Sequence, residues 1–413
     1  MSDQRTLNRR RHSSSEGTLS AATRRRAFIG MGWVSVAFVS ASAAPSPLYH
    51  LYQEQWHFAS YLLSVAFSVY AFTLLIALLF AGSLSDHLGR RPVLAAAIIA
   101  ELVAMIMLLL ATNVAGVLVA RAIQGFATGV ATATVSAALA DLSPAHNKQL
   151  GATVGSITPL AGLAIGSGAA GLIVQASHAP IHIVFTAILV ILVIGMVFVV
   201  TAPETIRRQP GAFASLAPQL RVPAASRSAF VASSFLNIAV WLTTSLALGL
   251  IPQINREVFH IDSGVANGGI IALLTGIGAV AVVLSRKLPT LPSTLLAAVT
   301  LAAGALSQAV GVLTDDLIVF IIGAAIGGVG VGVGFGGYIR LVIQTADAHD
   351  RAAVFSAMYV VSYLTFGIPV IVAGIVLDFA PAPAVAAGFC ALTVLSSVLG
   401  LITVRRFARK ASA

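Results

Sequence analysis

The sequence predicts an all-α integral membrane protein with 12 transmembrane helices in two bundles of six. Three observations carry this prediction. Apolar residues make up 58% of the 413 residues and charged residues only 9%, whereas a soluble domain has about 25% charged residues. Apolar runs of about 20 residues, the length that crosses a bilayer as a helix, recur along the chain. One long polar segment, 202–228, divides these runs into two sets of six.

The spans are defined as apolar segments between polar or proline-containing breaks. Strands of a membrane barrel would be half as long and would alternate in polarity, which these segments do not. The first six spans are predicted at 27–49, 60–81, 92–111, 114–140, 151–174 and 181–201. The last six are predicted at 229–252, 263–285, 293–312, 316–340, 352–377 and 384–404.

The chain therefore divides into five parts. Residues 1–26 are polar, basic and serine-rich, which predicts a disordered tail. A six-helix bundle at 27–201, a central loop at 202–228, a second six-helix bundle at 229–404 and a short tail at 405–413 follow. Two sets of six helices joined by a polar linker are typical of transporters built from related halves.

The positions of lysine and arginine predict the orientation. With a cytoplasmic N-terminus, all but two of the 24 Lys and Arg residues fall on the cytoplasmic side. The exceptions are Arg121, inside span 4, and Arg256, in an outer loop. Because cytoplasmic loops are enriched in these residues, we expect a multi-pass protein of the cytoplasmic (inner or plasma) membrane with both termini and both tails in the cytoplasm. The net charge of +10 then reflects topology, and we expect no nucleic-acid partner.

Several function classes lack their sequence signatures. The single cysteine, Cys390, cannot form an internal disulfide. The chain has no H-E-x-x-H spacing for a metal and no Gly-Lys-Ser/Thr triplet for a phosphate loop. The triplet Ser85-Asp86-His87 is contiguous, so its side chains point apart on a turn and cannot form a catalytic triad. We expect no enzyme activity, no catalytic residues, no cofactor and no metal site.

The turn between spans 2 and 3 carries a specific motif, Gly82-Ser-Leu-Ser-Asp86-His-Leu-Gly89-Arg90-Arg91. It resembles the loop 2–3 signature of the major facilitator superfamily, G-x-L-x-D-r-x-G-R-[RK]. The resemblance implies two six-helix bundles around a central cavity that opens alternately to the two sides of the membrane. It also implies that the turn interlocks with an acidic residue at the end of span 4, the place of Asp141.

We expect these residues to form a conformational latch on the cytoplasmic face. Such a charge cluster favours the outward-facing state while intact and releases as the halves rock. The alternative is a static ion network. No corresponding motif lies between spans 8 and 9, so the latch is predicted on one side only. The predicted members are Gly82, Asp86, Gly89, Arg90, Arg91 and Asp141.

Two charged residues lie within spans, where charge is costly without a partner. Arg121 begins a segment of span 4, Arg121-Ala-Ile-Gln124-Gly, that resembles the superfamily pattern R-x-x-q-G, which implies a role in proton coupling. Glu101 is the only carboxylate near the middle of a span and can exchange a proton. We expect both to serve proton coupling. A structural Glu101 on a peripheral helix, and an Arg121 reaching the outer interface, are the alternatives.

Span 5 contains small residues four apart, a pattern that permits close helix contact. It resembles the antiporter-associated signature G-x-x-x-G-P-x-x-G-G, with Gly162, Gly166 and Gly171 matching, Ser167 in place of proline and Ala170 in place of glycine. The resemblance implies antiporter-like helix packing and therefore export. Generic packing is the alternative.

Spans 1, 4, 7 and 10 line the cavity in the resembled fold. Polar and aromatic residues on these spans and on span 11 are candidates for the substrate cavity, since amphipathic aromatics suit an uncharged or cationic, partly apolar solute. These candidates are Gln124, Asn237, Trp241, Thr244, Tyr359 and Tyr363. Interfacial or packing roles are the alternative.

Together these features predict a secondary active transporter, a monomer whose partners are a small-molecule substrate, protons and the lipid bilayer. The resemblance to drug and metabolite proton antiporters of the superfamily favours proton-coupled efflux of drug-like or small metabolic compounds. Two alternatives stay open: a proton symporter that imports a sugar or organic acid, and a non-transporting membrane sensor or binding protein.

Overall fold

The computed structural model describes residues 20–59, 61–144, 146–206, 208–218, 220–347 and 350–412. Within these ranges the chain is helical and contains no β-strand. It has 12 helices long and apolar enough to cross a membrane, which confirms the predicted fold class. We number them α1 (Ala21–Ala43), α2 (Tyr61–Ala81), α3 (Arg90–Leu109), α4 (Val114–Leu142), α5 (Gln149–Ala176), α6 (Pro180–Thr201), α7 (Ala224–Glu257), α8 (Gly264–Ser285), α9 (Thr290–Leu313), α10 (Leu317–Ile343), α11 (Arg351–Val376) and α12 (Ala382–Ser412).

The ends of three helices differ from the predicted spans. Helix α1 begins at Ala21, inside the segment predicted as a tail, because the side chain of Ser20 caps it by accepting a hydrogen bond from the Thr23 N–H at 3.1 Å. It stops at Ala43, before two prolines. Helix α7 continues through Pro252 to Glu257, and α12 continues through the predicted second tail, where basic side chains favour a helix C-terminus. The rest of the predicted N-terminal tail, 1–19, lies outside the described residues.

Each set of six helices has its own apolar core. One core joins α1, α3, α4 and α6 with parts of α2 and α5. The other joins α7 to α12 and also includes apolar residues of α2 and α5. Helices α2 and α5 therefore carry the contact between the halves, and their main partners across it are α11 and α8.

The two ends of the molecule differ. We call the end that holds the α2–α3 turn and the described parts of the α4–α5 turn and of the 202–223 segment the termini face, since α1 starts and α12 ends there. At the other end, the opposite face, the halves are bonded together. The Ser46 hydroxyl donates to the Leu248 carbonyl at 2.6 Å, and the Ser68 hydroxyl donates to the Gly367 carbonyl at 2.9 Å.

The outer surface of the helices is apolar. Large aliphatic side chains of many spans are exposed, among them Ile29, Ile99, Val190, Val280 and Leu306. A water-soluble protein rarely exposes so much contiguous apolar surface. The protein is a multi-pass membrane protein whose exposed helix faces contact lipid.

Candidate functional site

A cavity of about 400 Å³ lies between the two halves, a size typical of small-molecule sites. Its lining includes Ser136 and Ala152, which are exposed near the termini face. At the other end the lining residues Ser46, Tyr49 and Leu248 are buried. The cavity therefore opens at the termini face and is closed at the opposite face.

Aromatic side chains of the second half form one wall of the cavity. The Trp241 ring lies 4.9 Å from the Tyr363 ring and 5.1 Å from the Phe366 ring, and Tyr359 continues the row at 6.2 Å from Tyr363. Phe366 also contacts Phe67 of the first half, with ring centroids 4.6 Å apart. These contacts close the cavity toward the opposite face with apolar surface.

Four of the six predicted cavity residues line this cavity, namely Trp241, Thr244, Tyr359 and Tyr363. Gln124 and Asn237 do not, and each amide makes hydrogen bonds to neighbouring helices. Asn237 donates to the Met358 carbonyl at 3.3 Å and accepts from the Ser362 hydroxyl at 3.0 Å, which ties α7 to α11. The structure therefore differs from the prediction that these two residues line the cavity, and a role for them in solute binding stays a prediction.

Gln124 connects the two charged residues of the first half. Its oxygen accepts a hydrogen bond from Nη1 of Arg121, and its nitrogen donates to Oε1 of Glu101 at 3.0 Å and to the Ala41 carbonyl at 2.9 Å. Arg121 is 1% exposed and Glu101 is 0% exposed. Among the described residues the two charges make no direct ion pair, so the amide of Gln124 is their link.

Arg121 also contacts α1 and α2. Its Nη1 donates to the Ser42 carbonyl at 3.3 Å, and its guanidinium carbon lies 4.2 Å from the centre of the Tyr70 ring. An aromatic face attracts a cation at this distance. Arg121, Tyr70 and Thr128 line the closed end of the cavity, whereas Glu101 lies behind it. Arg121 therefore points inward and does not reach the outer interface.

The glycines of α5 lie at close helix contacts. A methyl group on Gly162 would come within 2.8 Å of Val39, and one on Gly166 would meet the backbone of Ser40, so both contact α1. Gly171 instead faces α8, where a methyl group would lie 2.9 Å from the Gly268 Cα. The α5 pattern thus contacts α1 inside the first half and α8 across the halves at the opposite face.

Arg90 organises the cluster at the termini face. Its guanidinium pairs with Asp86 one turn earlier in the chain, with Asp141 at the end of α4 at 3.3 Å, and with the Ser85 hydroxyl at 2.6 Å. Asp141 accepts a second hydrogen bond from the Thr205 hydroxyl at 2.9 Å. The turn, the end of α4 and the chain after α6 are joined by these contacts.

Glu204 caps the start of α3. Its carboxylate accepts from the N–H of Arg90 at 2.8 Å and from the N–H of Arg91 at 3.1 Å, which satisfies two of the free donors at a helix N-terminus. Gly89 has φ +102°, and a methyl group there would lie 2.7 Å from the Glu204 carboxylate. Gly89 is required for both reasons, while Gly82 lies in the same turn, where a methyl group would lie 2.6 Å from the Leu78 carbonyl.

The Arg90 cluster differs in one respect from the predicted latch. The sequence predicts that the latch releases as the termini face opens, yet the cavity opens at that face while Arg90 keeps both carboxylates. Among the described residues, every partner of Arg90 belongs to the first half or to the chain that leaves it. Separating the halves therefore breaks none of these bonds.

The second half has a different arrangement at the matching place. Arg286 and Lys287 are exposed in the α8–α9 turn, and Arg340 near the end of α10 donates to the Ser293 hydroxyl at 3.1 Å. Within the described ranges no ion pair involves these three residues. No group of His, Cys, Asp and Glu that could hold a metal ion is found there either.

Comparison with known proteins decides the family. The model of the Major Facilitator Superfamily matches residues 31–369. The chain belongs to this superfamily. It has no match among the curated proteins compared with it.

Three solved transporter structures share the superfamily fold. The human organic anion transporter MFSD10 (TETRAN) is 18% identical, with 91% of this chain and 99% of that chain covered and a TM-score of 0.67. A peptide transporter, POT, in complex with alafosfalin is 16% identical, with 94% of each chain covered and a TM-score of 0.72. The xylose transporter XylE from E. coli, in a partially occluded inward-open conformation, is 13% identical, with coverage of 91% and 98% and a TM-score of 0.69.

Superfamily membership and the fold indicate a secondary transporter of small molecules. Several residues of its site are not among the sequence-based candidates. Tyr49 and Tyr70 lie beside Arg121 at the closed end, Thr128 donates to Glu101, and Glu204 holds the α2–α3 turn. The sequence signal for Tyr70 is an amphipathic aromatic residue near the middle of a predicted span. The segment Ala202-Pro-Glu204-Thr205 resembles the superfamily's exit from its first half, but the capping role of Glu204 depends on how the chain folds back after α6.

Proposed function

We propose that this chain is a proton-coupled secondary transporter of small amphiphilic solutes, with Glu101 as the proton carrier. The observation that carries the proposal is the Glu101–Gln124–Arg121 link, because it joins a buried carboxyl group to the closed end of the solute cavity. A change of charge at Glu101 alters the polarisation of the Gln124 amide and the field at Arg121. Solute binding and proton binding can then influence each other.

Export in exchange for protons is the first candidate for the direction of transport. It is supported by the antiporter-like glycines of α5, which pack against α1, part of the cavity lining, and against α8 across the halves. It is also supported by the cavity mouth at the termini face, which the distribution of Lys and Arg predicts to be cytoplasmic. A solute loaded from that side leaves the cell when the halves rock.

Co-transport of an organic acid with protons is the second candidate. One observation favours it: Arg121 is the only charged side chain among the described residues that line the cavity. An arginine attracts an anion, and protonation of the nearby Glu101 strengthens that attraction because it removes a negative charge.

Everted membrane vesicles with an imposed pH gradient test the proposal. A compound panel is screened for pH-driven movement, and the wild type is compared with Glu101→Gln, Arg121→Ala and the control Glu257→Gln. Glu257 is a suitable control because it lies at the exposed end of α7 and bonds only to Gln253 among the contacts described for it. We expect at least a tenfold loss of pH-driven flux in the first two variants and none in the control. Wild-type flux in both would contradict the coupling role.

The same vesicles separate the two directions. An interior-acid everted vesicle accumulates the solute if protons are exchanged for it and loses the solute if the two move together. An everted vesicle that shows no pH-driven movement of any compound, while the protein is folded, would favour a non-transporting sensor instead.

A further inference from the structure

The described lining of the cavity is rich in aromatic residues and poor in charged ones. Its described lining residues include ten aromatic side chains but no Asp, Glu, Lys or His, so Arg121 supplies its only formal charge. A cavity selected for cationic solutes needs a carboxylate within reach, because a buried cation without a counter-charge is costly. Glu101 does not meet this need, since it lies behind the wall and its oxygens accept from Gln124 and Thr128.

Arg121 retains unused capacity for hydrogen bonding. Nη1 makes both of the hydrogen bonds described above, to Ser42 and Gln124. The buried Nε has no hydrogen-bond partner among the described residues. A guanidinium normally uses its planar edge to hold a carboxylate or phosphate. The Nε atom is itself buried, so the Arg121 side chain must shift to present this edge to a solute.

Polarity is separated along the cavity. Tyr49 and the ring of Tyr70 lie beside Arg121 at the closed end, where the hydroxyls of Ser42 and Ser46 donate to backbone carbonyls. Toward the mouth, the hydroxyls of Ser136 and Ser156 are bonded to carbonyls of their own helices. The wall between is apolar and aromatic, with the row from Trp241 to Phe366 described above. The lining fits a solute with one polar end and an apolar or aromatic body.

We infer that the transported solute is an amphiphilic organic anion, with its acidic group at Arg121 and its apolar body against the Trp241–Phe366 wall. This inference rests on the proposed function, because it takes this cavity to be the transport site. The solute is a carboxylate or similar monoanion of a size that fills about 400 Å³, and cationic compounds are disfavoured.

Protonation of Glu101 is expected to strengthen binding of the anion. An anion held at Arg121 therefore favours co-transport with protons, the second candidate for the direction of transport, over exchange. The charged or titratable groups near Glu101 are Arg121 on α4 and Tyr70 on α2. Helix α6, which also packs on α3, carries only His182, in its first turn. Asp86 and His87 of the short helix before α3 lie at the termini face, where Asp86 pairs with Arg90. Protonation of Glu101 is therefore the change of charge near Arg121 that affects a bound anion most.

Three ligands of matched shape and different charge test the inference: 2-naphthylacetate, 2-naphthylacetamide and 2-(2-naphthyl)ethylammonium. Their affinities for the purified wild-type protein in detergent are measured by isothermal titration calorimetry, with empty micelles subtracted. We expect the carboxylate to bind at least tenfold more tightly than the amide, and the ammonium to bind most weakly. Equal or tighter binding of the amide or the ammonium, or no binding of the carboxylate, would overturn the inference.

A matched pair of arginine variants assigns the effect to Arg121. Arg121→Gln is expected to reduce the carboxylate affinity to that of the amide, and Arg121→Lys to preserve part of the preference. Arg340→Gln is the control, since Arg340 also lies in a membrane helix but bonds to Ser293 and is not part of the cavity lining. It should leave all three affinities unchanged. The wild-type comparison stands by itself if an Arg121 variant does not fold.

The outcomes separate this inference from the proposed function. Selective carboxylate binding without pH-driven flux in vesicles would support the anion site and contradict the transport proposal. Flux of uncharged or cationic compounds that depends on Glu101, with no preference for the carboxylate, would support the transport proposal and overturn the anion site.

Discussion

Glu101 and Arg121 are linked across α3 and α4 by one amide and not by a direct ion pair. The oxygen of Gln124 accepts from the guanidinium, while its nitrogen donates to the carboxyl group at 3.0 Å. In a direct ion pair, the two buried charges would neutralise each other. The intervening amide instead leaves Arg121 facing the cavity and Glu101 enclosed behind it, so each group can change partner or proton separately.

Replacing Gln124 with leucine should destabilise the protein by about 1–3 kcal/mol, because it leaves buried donors and acceptors of Arg121, Glu101 and Ala41 unpaired. Gln308→Leu is the matched control. Gln308 is also buried, on α9, but its nitrogen has no hydrogen-bond partner among the described residues, so its loss leaves fewer groups unpaired. The apparent melting temperature of each variant is measured by thermal unfolding in detergent. Equal decreases in apparent melting temperature would contradict the role of Gln124.

Arg90→Gln should lower the stability by about 1–3 kcal/mol through the loss of charge-assisted hydrogen bonds at a largely buried side chain. Arg286→Gln, at the corresponding turn of the second half, removes an exposed arginine and should have almost no effect. Thermal unfolding compares the two variants. The cluster would have no stabilising role if both melted at the wild-type temperature.

Gly268→Val should open the opposite face. A side chain there meets the Ser167 carbonyl and the Gly171 backbone on α5, and overpacking of this kind costs about 1–3 kcal/mol. Gly269→Val is the control, because no atom lies within 4 Å of the added carbon. Each variant is combined with Ser42→Cys, which places a cysteine in the cavity lining, and with Cys390→Ala, which removes the native cysteine. A membrane-impermeant maleimide is then added from the side of the opposite face. Labelling should rise only with Gly268→Val, and equal labelling would contradict the α5–α8 closure.

The sequence predicts the fold well because each span is a local property of about 20 residues. Helix ends are less predictable: α1 starts at a serine cap, and α12 continues into basic residues that a hydropathy pattern assigns to a tail. The α2–α3 motif contains Asp86 and Arg90, and the resemblance to the superfamily adds Asp141 to this group. It does not reveal that their partners all lie in one half, which depends on tertiary contacts.

The cavity residues show the same limit of local information. Gln124 and Asn237 carry the same functional groups as residues that bind solutes, and helical periodicity cannot tell whether an amide faces a cavity or a neighbouring helix. Tyr359 and Tyr363, four residues apart on α11, do share the lining face. Periodicity assigns residues to a common face, and only packing assigns that face to the cavity.

The proton stoichiometry of solute binding tests the central claim most directly. Purified protein in weakly buffered detergent solution is mixed with 2-naphthylacetate, and the proton uptake is measured with a pH indicator over a range of pH, with Glu101→Gln and Glu257→Gln as comparisons. We predict a pH at which binding is accompanied by uptake of up to one proton in the wild type and in Glu257→Gln, and no uptake in Glu101→Gln. Solute binding without proton uptake at any pH in the wild type, or unchanged uptake in Glu101→Gln, would contradict the link from Glu101 through Gln124 to the cavity.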